Sequence, residues 1–202
     1  MKRVVMLLVA AVVATCAVAS GESTTMKYDR GAENAKWKFV AGQWVRRPSG
    51  DRNVLAQIVE TQPWAVAVLE DRKFGDVDVS VRFRPVSGRE DASGGIIFRA
   101  KDGQNYLLVR ANALENNFRL YTIVNGKRST IASARVTEPK LGVWHAIRVV
   151  ATGPKIQAYL NGTMLLDHED KTFRDGWVGL WTKADSVTEF ADLEITGTVV
   201  AN

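Results

Sequence analysis

The chain has 202 residues, 46% of them apolar and 24% charged, with a formal net charge of +5 and a single cysteine, Cys16. That length fits one domain and leaves little room for two large ones. Apolar content and mixed charge exclude a disordered chain, and a mild basic excess without a dense Lys/Arg cluster argues against a nucleic-acid partner.

The first element in chain order is a leader. Lys2 and Arg3 form a short positive region, 4–13 is an apolar run, and Ala17-Val18-Ala19 has the A-x-A spacing of a cleavage site. This pattern predicts a secretory signal peptide over residues 1–19. Cleavage near Ala19 leaves 183 residues with 25 basic and 22 acidic side chains, a net +3, and no cysteine. The expected location is the periplasm or the medium. The apolar stretch is short for a spanning helix, so no transmembrane segment is expected in the mature chain. Val13-Ala14-Thr15-Cys16 is an imperfect lipobox and keeps a lipoprotein as the alternative. Residues 20–35 are small and polar and read as a flexible lead-in to a single domain over 36–198.

From there the pattern has period two. Strands are expected at 37–40, 43–47, 54–59 and 65–69. Val77, Val79, Val81 and Phe83 then alternate with polar residues up to Pro85, which is expected to end that strand. Further strands follow at 96–99, 106–111 and 118–124. Asn125-Gly126 predicts a two-residue hairpin turn, because both residue types tolerate positive φ. The return strand is 127–136, and 144–151 and 155–160 come next. Asn161-Gly162 predicts a second hairpin into 163–166, and strands at 177–182 and 189–196 complete the set. No window holds a 3.6-residue apolar period. Short strands with regular turn signals indicate an all-β sandwich of antiparallel sheets, with polar outer faces.

Several chemistries lack their signatures. There is no nucleophile elbow, P-loop or dinucleotide-binding glycine pattern, and cysteine chemistry leaves with the leader. His145 and His168 have no neighbours at metal-site spacing, so no metal or cofactor is expected. A calcium site from Asp167, Glu169 and Asp170 is the minor alternative. A glycosidase needs two opposed carboxylates. Asp76 with Asp78, and Asp192 with Glu194, share strand faces, and the simpler reading is that they balance neighbouring arginines.

The more informative set mixes polar groups with aromatics. Arg82, Arg99 and Arg110 fall in successive strands. Tyr106 shares a strand face with Arg110, Tyr121 lies on the polar side of the next strand, and Trp181 alternates with core-facing Leu180. Aromatic rings offer an apolar surface to sugar C–H groups, and arginines supply directional hydrogen bonds to hydroxyls. These six residues are the candidate substrate-binding set, expected on an exposed concave face. Gly94-Gly95 is expected to permit a tight backbone beside it, and the charged loop 87–93 is a candidate site wall.

Residues 76–88, 93–100, 105–112 and 179–193 together resemble the bacterial concanavalin A-like, laminin-G-like domains of the 3-keto-disaccharide hydrolase group. The resemblance spans roughly 37–197. It implies a jelly-roll sandwich of two antiparallel sheets, extracytoplasmic placement and association with glycans, with some relatives hydrolysing oxidised disaccharides. The group's Gly-Ile-Phe-Phe-Arg-like strand here reads Gly95-Ile96-Ile97-Phe98-Arg99, and its Phe-Asp-Asp-like segment reads Phe190-Ala191-Asp192. Three functions follow as expectations. The first is an exported glycan-binding domain. The second is a glycoside-hydrolase-like enzyme acting on an oligosaccharide or 3-keto-disaccharide. The third is a non-catalytic structural or protein-interaction domain.

Overall fold

The computed structural model describes residues 23–28, 35–137 and 139–200. The leader over 1–19 lies outside the described residues. Fourteen strands and no helix occur among those described. They are β1 (Ser23–Tyr28), β2 (Trp37–Ala41), β3 (Trp44–Ser49), β4 (Arg52–Gln57), β5 (Thr61–Ser87), β6 (Ser93–Ala100) and β7 (Tyr106–Asn112). The remainder are β8 (Asn117–Val124), β9 (Lys127–Arg135), β10 (His145–Thr152), β11 (Lys155–Leu160), β12 (Thr163–Glu169), β13 (Gly176–Ala184) and β14 (Val187–Val200).

Strand β5 explains the architecture. The sequence pattern predicts two strands here, with Pro85 as a stop. Instead one strand of 27 residues runs from Thr61 to Ser87 and belongs to both layers. Its first half pairs with β2 and β13, and its second half pairs with β10 and β14. Pro85 lies next to a register shift in the β14 pairing, where a residue without an N–H is tolerated. One layer, sheet one, runs β12-β11-β10-β5-β14, with β1 and the β4-β3 pair continuing beyond β14. The other, sheet two, runs β2-β5-β13-β6-β7-β8-β9. Neighbouring strands are antiparallel throughout.

Segment 20–35 corrects the flexible lead-in in part. Ser23–Tyr28 forms β1 and pairs with β14 from Thr198 to Leu193. Its alternate residues Met26 and Tyr28 pack on the main core, and the Tyr28 hydroxyl donates to Asp71 at 2.8 Å. A short apolar alternation inside a polar segment is enough to add an edge strand.

Val79, Val81, Phe83, Ile147 and Val149 of sheet one meet Ile96, Phe98, Leu107, Val109 and Leu180 of sheet two in the central core. Gly94 belongs to this packing. A Cβ there would lie 2.5 Å from the Phe83 ring, so the glycine makes room for an aromatic from the opposite sheet. Both predicted hairpins form. Asn125 and Gly126 have φ of 51° and 73°, and Asn161 and Gly162 have 50° and 84°, the all-positive pair of a type I′ turn. The expectation of a polar outer face holds for β10, where exposure alternates, and fails for β6 and β7, which are buried on both faces.

Candidate functional site

The six predicted residues divide three ways. Tyr106, Arg110, Tyr121 and Trp181 share the outer face of sheet two, as predicted, but none is exposed: each is at most 1% accessible. Arg99, next to the last residue of β6, has φ of 52° and turns away from them. Its guanidinium donates to the carbonyls of Gly153 (2.7 Å) and Phe173 (3.2 Å), and it lines a pocket with Asp76, Pro154 and Asp170. Burial there lowers the Arg99 pKa against the opposing pull of Asp76, Asp170 and Asp175. Arg82 lies on the other sheet, half exposed and 3.5 Å from Asp192. Alternation fixes which face a side chain takes. It does not tell which sheet a strand joins or what lies over the face.

The cover over that face comes from its own corners. Val66, Val68, Ile97, Leu108, Tyr106, Tyr121, Ile123 and Trp181 form a second buried cluster, with Trp64 and Trp177 packed on it. Arg128 of β9 lies over the rings of both Tyr121 (4.8 Å) and Trp64 (5.5 Å), and Trp64 lies 5.9 Å from Trp181. Trp64 is on β5, five strand positions from β9 in the sheet order. In a flat sheet at the usual spacing those strands would stand about 24 Å apart. Arg128 and Trp64 can touch only because the sheet is curled, concave on this outer face. Gly95 lies on the same face, where a Cβ would come within 2.9 Å of the Arg110 side chain and 2.8 Å of the Val109 carbonyl. The glycine pair therefore serves packing on both faces of β6.

Beneath Arg128 the polar atoms are poorly served. The Tyr106 hydroxyl, the Trp181 indole nitrogen and Arg128 Nη1 are buried and make no hydrogen bond of good geometry, the Trp181 N–H reaching only weakly toward the Tyr106 oxygen. They lie close together. Burial raises the Tyr106 pKa, and the weak hydrogen bond from the Trp181 indole N–H and the Arg128 charge pull it back. A buried polar group without a partner costs about 1–3 kcal/mol. A cation–π contact such as Arg128 on Trp64 returns about 0.5–2 kcal/mol.

Charged groups close one end of the face. Arg110 donates to Glu115 (2.6 Å), Asn117 (2.8 Å) and the Tyr121 hydroxyl (3.1 Å). Lys183 bridges Asp91 and Glu115. The second Asp91 oxygen accepts from Asn112, whose own carbonyl oxygen accepts the Leu114 N–H at 2.9 Å. Burial pushes the Glu115 pKa up, but hydrogen bonds from Arg110 and Asn117 and the charges of Arg110 and Lys183 hold it down at about 2. Loop 87–93 does wall this end. Asp185 accepts backbone N–H groups from Arg89, Glu90 and Asp91, which carry its pKa below the ordinary range against the opposing effect of burial. Lys183 could have been found from sequence, since it shares the parity of Trp181. Arg128, Trp64 and Glu115 could not, because their part depends on the curl.

Elsewhere the acids are balanced. Asp78 pairs with Arg148, Asp192 with Arg52, and Glu194 with Lys27. Asp76 accepts the Gly153 N–H at 2.8 Å. Asp167 accepts from Gln157, and Asp170 caps Thr172, so these two serve local structure. No metal-binding group of three or more His, Cys, Asp or Glu occurs among the described residues. His145 is buried against Phe83, with its Nε2 accepting the Lys140 N–H at 2.9 Å.

The family model of the 3-keto-alpha-glucoside-1,2-lyase-like domain matches residues 28–196. The chain belongs to this family. The match begins at Tyr28, within the segment expected as a lead-in. No curated protein matches it. Among solved structures it is similar to the carbohydrate binding module CBM66 from Bacillus subtilis, at 19% identity and a TM-score of 0.69, covering 79% of this chain and 95% of that one. It is also similar to a putative glycosyl hydrolase from Parabacteroides distasonis, at 16% identity and a TM-score of 0.53, covering 80% and 99%. A Bacillus licheniformis beta-glucanase aligns at 9% identity and a TM-score of 0.58, covering 88% and 99%. These likenesses make the lyase-like domain a jelly-roll β-sandwich.

Proposed function

We propose that this chain is an exported carbohydrate-binding domain that takes a glycan on the concave outer face of sheet two. The observation that carries the reading is the meeting of aromatic rings, poorly bonded polar atoms and a fixed charged end on that one face. Trp64 and Trp177 offer apolar surface at its margins, and Glu115 and Lys183, fixed by the buried Arg110 and by each other, offer polar groups set in place before a ligand arrives. The likeness to a carbohydrate binding module supports the same reading. Export rests on the leader over 1–19. The mature N-terminus, read by mass spectrometry of protein recovered from the secreting host, is expected at Ser20.

The lyase-like family description favours a second reading, catalysis on a 3-keto sugar. The geometry gives it little help. A general acid or base works best with a pKa near the operating pH. Glu115 is held near 2, and both Asp91 oxygens are engaged. The test is a glycan array run beside a turnover screen that includes 3-keto-α-glucosides. Binding without turnover is expected. Turnover abolished by Glu115→Gln would replace binding with catalysis, and silence on both panels would leave a structural domain.

A further inference from the structure

Arg128 Nη1 and the two poorly bonded polar atoms beneath it, on Tyr106 and Trp181, specify more than a sugar. The Trp181 indole N–H and the Arg128 guanidinium can only donate, and the Tyr106 hydroxyl donates or accepts. Such a set is satisfied by an acceptor-rich group and poorly by a neutral hydroxyl, which needs acceptors as well.

The charges point the same way. Glu115 is neutralised by Arg110 and Asp91 by Lys183. Arg119 touches only the Ser133 and Tyr121 hydroxyls, and Arg128 touches only aromatic rings. Among the described residues neither has a carboxylate within ion-pair distance. The face therefore holds two guanidinium groups outside any ion pair: Arg119, which feels Glu115 only at a distance, and Arg128, over the poorly bonded Tyr106 and Trp181.

We infer that the preferred ligand is an acidic saccharide, a uronic-acid-bearing oligosaccharide whose carboxylate takes the place now filled by the Arg128–Trp64 contact. This rests on the reading of the concave face as a glycan site. Arg128 is the specificity residue. Its guanidinium moves off Trp64 to pair with the carboxylate, and the Tyr106 hydroxyl, accepting from the Trp181 N–H, is left free to donate to the same group. Both halves of the clasp are partly exposed and held by ring contacts alone, so they can part without breaking an ion pair. The ring of Trp64, half-buried in the clasp, is then uncovered to stack on the sugar.

The test is titration calorimetry of the mature chain with trigalacturonate and with triguluronate, each against its methyl ester, which keeps the shape and removes the charge. The acids are expected to bind at least tenfold more tightly than the esters. Arg128→Ala should remove that difference, and Arg128→Lys should restore part of it. Far-ultraviolet dichroism and melting of each variant guard against unfolding, which is not expected at this rim position. If acid and ester bind alike and Arg128→Ala changes neither, the inference fails and the glycan face stands. If the acids and their esters go unbound while neutral glycans bind on the array, the inference also fails alone. If no saccharide binds anywhere, both fall.

Discussion

The two outer faces of the sandwich treat charge in opposite ways. On sheet one Glu189, Asp78, Asp192 and Glu194 each have a cation. Glu189, nearly buried, receives Arg47, Arg84 and Ser49, and hydrogen bonds from them carry its pKa below the ordinary range although burial opposes this. Asp78 and Arg148 pair in the open. On sheet two Arg119 and Arg128 face aromatic rings and hydroxyls, and buried donors go without partners. A balanced face is already satisfied and gains little from a ligand. A face with unmet donors gains whatever a ligand returns to them. This contrast is what supports the proposal of a binding face on sheet two.

The contrast can be broken most severely at its buried floor. Trp181→Ala is expected to cost about 3–5 kcal/mol, the usual loss for a fully buried aromatic, measured by urea unfolding. Next comes Glu189→Gln, expected to cost about 1–3 kcal/mol because Arg84 and Arg47 lose their charged acceptor. A smaller effect is expected at Glu115. Its pKa is depressed in the fold, so its contribution is present above the unfolded value near 4.5 and is lost as pH falls toward about 2. Melting curves of the native chain should lose stability across that window, and Glu115→Gln should flatten this part of the profile. The least effect is expected for Arg148→Ala, about 0.2–1 kcal/mol, since Asp78 and Arg148 are an exposed pair. A large loss there would overturn the view of sheet one as a solvated cover.

Much of the fold was readable in the residues. Val77, Val79, Val81 and Phe83 announced their strand, and the two Asn-Gly pairs announced their hairpins, because side-chain alternation and positive φ are local properties. Strand β5 was not readable as one piece. Two apolar alternations joined by Glu70, Asp71, Arg72 and Lys73 look like two strands with a connection, and only pairing to four different partners shows that the backbone stays extended between them. At the site, parity put Tyr106, Arg110, Tyr121 and Trp181 together correctly. Their burial was missed because Trp64 and Arg128 reach them from opposite corners of a curled sheet, a relation that no local pattern encodes. Arg82 was misassigned for a related reason: arginines in strands adjacent along the chain need not share a sheet.

Strand β5 also governs the order in which the protein can be completed. Val66 pairs with Trp181, and Phe83 pairs with Phe190, partners more than a hundred positions away along the chain. Contacts that distant carry a large loop-closure cost and slow folding. A chain still lacking the residues after 175 has one open edge along each half of β5, one per layer. Such edges invite pairing with other molecules. Neither layer is finished until the last two strands arrive, so the domain has no N-terminal half that can mature ahead of the rest.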